Sequence, residues 1–133
     1  MAPQPLEAKL QEDPLIERAV VVGDQRPYVT ALIVPDWEAV KGRLGVPGQP
    51  GELIHDERVM DAIQRRVDEV NAGLGSWETI KDFALLAEDF SEERGEITPS
   101  LKVRRRVVQD RYQDQVEEMY SRREGPELRA STV

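Results

Sequence analysis

The chain has 133 residues, 39% apolar and 33% charged, with a formal net charge of −8. That size supports a single hydrophobic core, and the acidic balance excludes a general nucleic-acid binder, which needs excess Lys and Arg over a broad face. The absence of cysteine excludes disulfides, thiolate metal sites and a Cys nucleophile, and fits a reducing compartment.

Aromatic residues make up only 5% of the chain, so Val, Leu, Ile and Ala must supply most of the core. The longest apolar runs, such as Ala19–Val22 and Ala84–Ala87, are far too short to span a bilayer. Met1-Ala2-Pro3-Gln4-Pro5 has neither a basic region nor an apolar one, so no signal peptide is read there.

Pro5 to Asp13 reads as a short amphipathic helix with Leu6 and Leu10 on one face, ended by Pro14. Ala19–Gly23 and Tyr28–Val34 are rich in β-branched residues. They flank Gly23-Asp24-Gln25-Arg26-Pro27, which predicts a hairpin. Pro35-Asp36 breaks the second strand, and Asp36 caps a short helix reaching about Leu44. Gly45 to Gly51 reads as a loop.

Val59, Ile63, Val67, Val70 and Leu74 recur at helical spacing and predict a helix from Asp56 to Leu74, stopped by Gly73 and Gly75. Ile80 to Phe90 reads as a third strand with Phe83, Leu85 and Ala87 on one face. Ser91 to Gly95 is a charged turn. A last helix is expected from Leu101 or Lys102 to Arg122, burying Val108, Tyr112, Val116 and Met119 or Tyr120. Glu124–Val133 has no periodicity and reads as a disordered tail, leaving residues 1–123 as one domain. The fold class is α+β, a small mixed sheet of about three strands, a hairpin plus one strand, flanked by helices.

The stretch Lys102-Val103-Arg104-Arg105-Arg106 concentrates four cations in an acidic protein. Read as the start of a helix, it lies where unpaired N–H groups and the macrodipole attract anions and disfavour cations, so a phosphate or carboxylate would make sense of it. The plain alternative is a solvated basic face paired to nearby carboxylates, which is the reading for Arg105 and Arg106. Lys102 differs because Pro99 stiffens its approach and Thr98 or Ser100 is placed to cap the helix. Lys102 is thus held on a rigid corner from which its ammonium can reach an anion, and Lys102 and Arg104 are the candidate substrate-binding residues.

Other candidates carry less. His55 is the only histidine and has no partner at a recognisable spacing. Glu88, Asp89, Glu92, Glu93 and Glu96 form a dense acidic segment without a calcium-loop pattern, so they read as solvated turn charge and no metal site is assigned. Trp37 and Trp77 are too few and too far apart for a stacking platform. No glycine-rich phosphate loop is present.

Three stretches together resemble a known family. They are Ala2-Pro3-Gln4-Pro5-Leu6-Glu7, the hairpin from Val20 to Pro35, and Phe90 to Arg106 with Gly95-Glu96-Ile97-Thr98-Pro99-Ser100-Leu101-Lys102. The chain resembles the C-terminal domain of AMP-forming acyl-CoA synthetases, in the long-chain fatty-acid–CoA ligase branch. Most adenylate-forming enzymes have glycine directly before the lysine, and Leu101 resembles the long-chain variant.

The resemblance implies a mobile C-terminal lid that supplies Lys102 to adenylate formation from a fatty acid and Mg-ATP. It then turns another face to thioester formation with coenzyme A. It implies ATP, Mg2+ and coenzyme A as substrates or cofactors of the intact enzyme, and none bound tightly by these residues alone. The implied partner is an N-terminal adenylation domain, on the same chain or a separate one, that binds ATP and the fatty acid. The implied location is the cytoplasm, with any membrane contact left to that domain. Nothing among these residues matches the family's phosphate loop or acyl tunnel, so the 133 residues are expected to be inactive alone. A stand-alone binding module of this fold, or the lid of another acyl-adenylating enzyme, are the alternatives.

Overall fold

A computed structural model describes residues 3–23, 28–75 and 79–121. Within it the chain divides into two compact units, Met1–Asp89 and Phe90–Val133. The hairpin connection at Asp24–Pro27, Trp77 and the tail from Glu124 lie outside the described residues.

The first unit is built on a three-stranded sheet of order β1-β2-β3, with β1 at Ile16–Val22, β2 at Val29–Pro35 and β3 at Ile80–Leu85. β1 pairs antiparallel with β2, and β2 pairs parallel with β3, which makes the sheet mixed as the sequence predicts. The register lines up Val21, Ala31 and Phe83 in one cross-strand row, and Ala19, Ile33 and Leu85 in the next. Because side chains alternate across a strand, both rows face the same side, and all six belong to the core cluster. Val20, Val22, Leu32 and Val34, on the opposite face, are also buried.

Helix α1, Pro3–Gln11, buries Leu6 and Leu10, one turn apart. The same helix uses its polar residues on the sheet edge. The N–H of Ala19 donates to Gln11 Oε1 at 2.9 Å, and the N–H of Val21 donates to Glu7 Oε2 at 2.8 Å. Backbone groups that would otherwise template another strand are thereby given side-chain partners. Helix α2, Trp37–Leu44, starts where expected. Asp36 accepts from the N–H of Ala39, and Gly45 ends the helix at a φ of 65°. Trp37 sits at the edge of the core and donates its indole N–H to the carbonyl of Ala87 at 3.0 Å.

The expected loop from Gly45 to Gly51 is shorter than the sequence suggests. Pro50–Leu53 forms a single helical turn, α3, because Gln49 and Glu52 cap one another and Pro50 occupies the first turn. Helix α4, Glu57–Ala72, is the main cover of the sheet. It buries Val59, Ile63, Val67 and Val70, and packs against α1 and α2. Burial of each such side chain contributes about 1.5–3 kcal/mol. Asp56 caps α4 by accepting from the N–H of Arg58, whose guanidinium also meets both carboxylate oxygens. That side-chain hydrogen bond holds the Asp56 carboxyl down to about 2, while Arg58 is raised from its usual value.

At the far end of α4, Asn71 clasps the start of β3. Its Oδ1 accepts from the N–H of Ile80 at 2.8 Å and its Nδ2 donates to the Ile80 carbonyl at 2.9 Å. The strand then ends at Leu85, five residues before the predicted limit at Phe90. Ala87 accordingly lies beyond the strand and offers its carbonyl to Trp37 instead of continuing a sheet face.

Candidate functional site

The basic stretch belongs to the second unit, where it forms a small hairpin ahead of a helix. The expected helix start at Leu101 or Lys102 is corrected: helix α5 spans Arg105–Arg111, with Arg104 as its N-cap residue. Helical structure breaks at Tyr112 and resumes over 113–121, burying Val116, Met119 and Tyr120. Tyr112 itself is half-buried, its ring 6.2 Å from that of Phe90.

The reason Lys102 is not helical lies in the four residues before it. The N–H of Leu101 donates to the carbonyl of Thr98 at 2.8 Å, closing a tight turn with Pro99 second, where its fixed φ is favoured. Leu101 then takes a left-handed φ of 65°, which an α-helix cannot accommodate. Beyond it the chain reverses. The N–H of Thr98 donates to the Lys102 carbonyl at 2.8 Å, and Ile97 bridges antiparallel to Val103. A three-residue connection ending in a left-handed residue is a recurrent hairpin geometry.

Thr98 and Ser100 therefore cap the turn, not the helix. Thr98 Oγ1 accepts from the N–H of Lys102 at 3.0 Å and lies 3.0 Å from Ser100 Oγ. Arg104 has no side-chain capping bond. The helix-terminus argument for an anion consequently does not reach Lys102. Its replacement is an ammonium on a four-carbon stem, projected from a backbone fixed by turn, bridge and hydroxyl together.

Lys102 and Arg104 are both exposed while Val103 between them is half-buried, so alternation presents the two cations outward. Among the described residues, no carboxylate lies within ion-pair distance of Lys102, Arg104 or Arg106. Arg105 is half-buried in the first turn of α5. Leu101, at the tip of the turn, is 58% exposed and is the exposed large hydrophobic residue of the described chain. His55 is exposed near the start of α4.

The acidic segment needs a correction too. Glu88, Asp89, Glu92 and Glu93 are exposed as expected, but Glu96 is completely buried. Its Oε1 accepts from the N–H of Ser91 at 3.0 Å and from Arg94 Nε at 2.8 Å. Its Oε2 lies 3.1 Å from Arg111 Nε. A buried carboxylate must be paired to persist, and the two arginines supply the charge. The sequence signal was faint: Glu96 stands between turn-forming Gly95 and β-branched Ile97, with Arg94 two residues away and Arg111 one helix later. No group of three or more His, Asp or Glu able to hold a metal occurs among the described residues.

A family model for the AMP-binding enzyme C-terminal domain matches residues 1–124. The long-chain fatty-acid–CoA ligase FadD15 of Mycobacterium tuberculosis is 36% identical over 92% of this chain, and the match covers 21% of that protein. Long-chain fatty-acid–CoA ligase 5 of Rattus norvegicus is 30% identical over 90% of the chain and 18% of its own length.

Among solved structures, the A-PCP didomain of the carboxylic acid reductase from Segniliparus rugosus, a complex with AMP, superposes with a TM-score of 0.73. It is 29% identical and covers all of this chain, which corresponds to 18% of that one. The adenylation domain of a Mycobacterium chelonae carboxylate reductase gives a TM-score of 0.74 at 26% identity, over 91% of this chain and 18% of its own. The chain thus spans about a fifth of the length of the curated relatives it matches. On the family match and the mixed three-stranded fold together, this chain belongs to the AMP-binding enzyme C-terminal domain family.

Proposed function

We propose that residues 1–123 are the C-terminal lid of an AMP-forming long-chain fatty-acid–CoA ligase, and that Lys102 is its catalytic contribution to adenylate formation. In that reaction a fatty-acid carboxylate oxygen attacks the α-phosphorus of Mg-ATP, and the bond from that phosphorus to the bridging oxygen breaks. Pyrophosphate leaves, and acyl-adenylate remains. The thiolate of coenzyme A then attacks the acyl carbon and AMP departs. Lys102 would lie between carboxylate and α-phosphate, offsetting their mutual repulsion and the charge that builds in the transition state. Arg104, facing the same side, would bind the substrate's phosphates. A partner adenylation domain would hold ATP and the acyl chain, and its rotation relative to this lid would separate the two steps. The setting is cytoplasmic, where ATP and coenzyme A are supplied. No described helix is long and apolar enough to cross a membrane.

One observation carries the reading. Lys102 is exposed on a turn whose backbone is fixed on both sides, yet its ammonium has no carboxylate partner among the described residues. The test is Lys102→Ala in the intact synthetase. Adenylate formation, followed as pyrophosphate release, should slow by about 10²–10³-fold, the scale of removing one electrostatic stabiliser from a transition state. Thioester formation from supplied acyl-adenylate should stay within about twofold of the parent, on the premise that the lysine acts only in the first step. Equal loss in both steps would refute the division of labour. The 133 residues alone should form no thioester.

The likeness to carboxylic acid reductase adenylation domains supports a second reading, the lid of an enzyme that passes its acyl group to a carrier protein. Both readings assign Lys102 the same first step. Acyl transfer to free coenzyme A against transfer to a phosphopantetheinyl carrier separates them.

A further inference from the structure

Three successive links hold the two arms of the lysine hairpin together. At the tip, Thr98 pairs with Lys102. In the middle, Ile97 bridges Val103. At the base, the N–H of Arg104 donates to the carbonyl of Glu96 at 2.7 Å. Glu96 is thus the root of the arm that leads to Lys102, and among the described residues it is the only buried carboxylate.

That root is anchored from two directions. Its N–H donates to the Ser91 carbonyl at 3.0 Å, and Oε1 accepts from Ser91 and Arg94, which fixes it to the loop before the hairpin. Oε2 faces Arg111 at the end of α5 at ion-pair distance, without the alignment of a hydrogen bond. The hairpin base is therefore tied by charge to the helix that follows the lysine. An apolar side chain would fill this space with no desolvation cost, since buried ion pairs seldom add net stability over well-packed apolar groups. A charged network with directional partners does something an apolar plug does not: it sets one orientation of the arm.

We propose that Glu96 is a positioning residue for Lys102, fixing the tilt of the hairpin so that the ammonium arrives where the carboxylate and α-phosphate meet. The proposal rests on the role given to Lys102 above. Glu96 touches no substrate. It acts through three rungs of hairpin.

The experiment is Glu96→Gln in the intact synthetase, measured alone and together with Lys102→Ala. Gln keeps the volume and the bond to Ser91 but removes the charge that holds Arg94 and Arg111. Adenylate formation should fall about 10- to 100-fold in kcat, as expected for a misplacement of about 1 Å. Thioester formation from supplied acyl-adenylate should be unchanged. In the Lys102→Ala background the same change should cost nothing further in kcat, because the ammonium being positioned is gone.

A similar loss in both backgrounds, a loss in both half-reactions, or no loss at all would overturn the proposal. If Glu96→Gln does not fold, Arg111→Gln removes the Oε2 interaction while leaving the Oε1 bonds to Ser91 and Arg94, and should show a smaller loss with the same dependence on Lys102. The two readings fail separately. A Lys102→Ala enzyme with normal pyrophosphate release removes both. A slow Lys102→Ala enzyme beside a normal Glu96→Gln enzyme removes only the positioning role.

Discussion

The hydroxyl of Thr98 accepts a hydrogen bond from the backbone N–H of Lys102 at 3.0 Å, so the residue that opens the turn also fixes the one that follows it. Thr98→Val keeps the shape and β-branching but removes that acceptor. In the intact synthetase, adenylate formation should drop about 3- to 10-fold, the kinetic equivalent of about 0.5–1.5 kcal/mol for one hydrogen bond. Thr98→Ser should restore it. A Val variant with parental rates would show that the backbone pairs alone hold the lysine.

Leu101 carries a left-handed φ of 65° with more than half its surface in water. The conformation costs an L-residue about 1–2 kcal/mol, and glycine recovers most of it at some entropic expense. Leu101→Gly should therefore raise stability by about 0.5–1 kcal/mol in urea unfolding of this chain. A decrease would mean that the Leu101 side chain makes interactions worth more than the strain.

Asp56 sets an acid-side dependence. Its folded carboxyl, held at about 2 chiefly by the Arg58 side-chain hydrogen bond, lies below the unfolded value of about 3.9. A depressed carboxyl contributes stability that is complete above the unfolded value and is lost as pH falls from about 4 through about 2. NMR titration of the Asp56 carboxyl carbon should show a midpoint near 2, returning toward the ordinary carboxylate range in Arg58→Ala. A midpoint near 4 in the parent would contradict this.

The side chains of Glu7 and Gln11 stand in for a strand partner along β1. Replacing both with Ala leaves the N–H groups of Ala19 and Val21 without these acceptors. Stability should fall by about 1–3 kcal/mol, and the uncovered edge should promote self-association, visible by light scattering at high protein concentration. A double variant that is as stable and monodisperse as the parent would argue that α1 is held by Leu6 and Leu10 alone.

Much of this was legible in the chain. The stripe Val59, Ile63, Val67, Val70 marked α4, and Asp36 marked the cap of α2, because helix periodicity and capping are local properties. What was not legible depends on partners distant in sequence or on disfavoured backbone. A one-turn helix at Pro50 requires the reciprocal Gln49–Glu52 cap. Lys102 stays out of the helix because Leu101 adopts a conformation its residue type disfavours, which composition argues against. Glu96 looked like its exposed neighbours, since burial of a carboxylate is decided by Arg94 and Arg111 together, and Arg111 lies fifteen residues on.

The central strand β2 meets its two neighbours on unequal terms. β1 is reached across a short connection, whereas Val29 pairs with Ile80 only after about fifty residues have intervened. We predict that the β1–β2 pair and α4 organise first and that β3 docks last, so substitutions in β3 should speed unfolding with little effect on the folding rate. Asn71 would then act as a latch, closing on Ile80 once the strand arrives. Translation runs in the same direction. The nascent chain presents the hairpin, then the helix that covers it, and only afterwards the strand that completes the sheet, so synthesis hands over the pieces in the order the fold can use them.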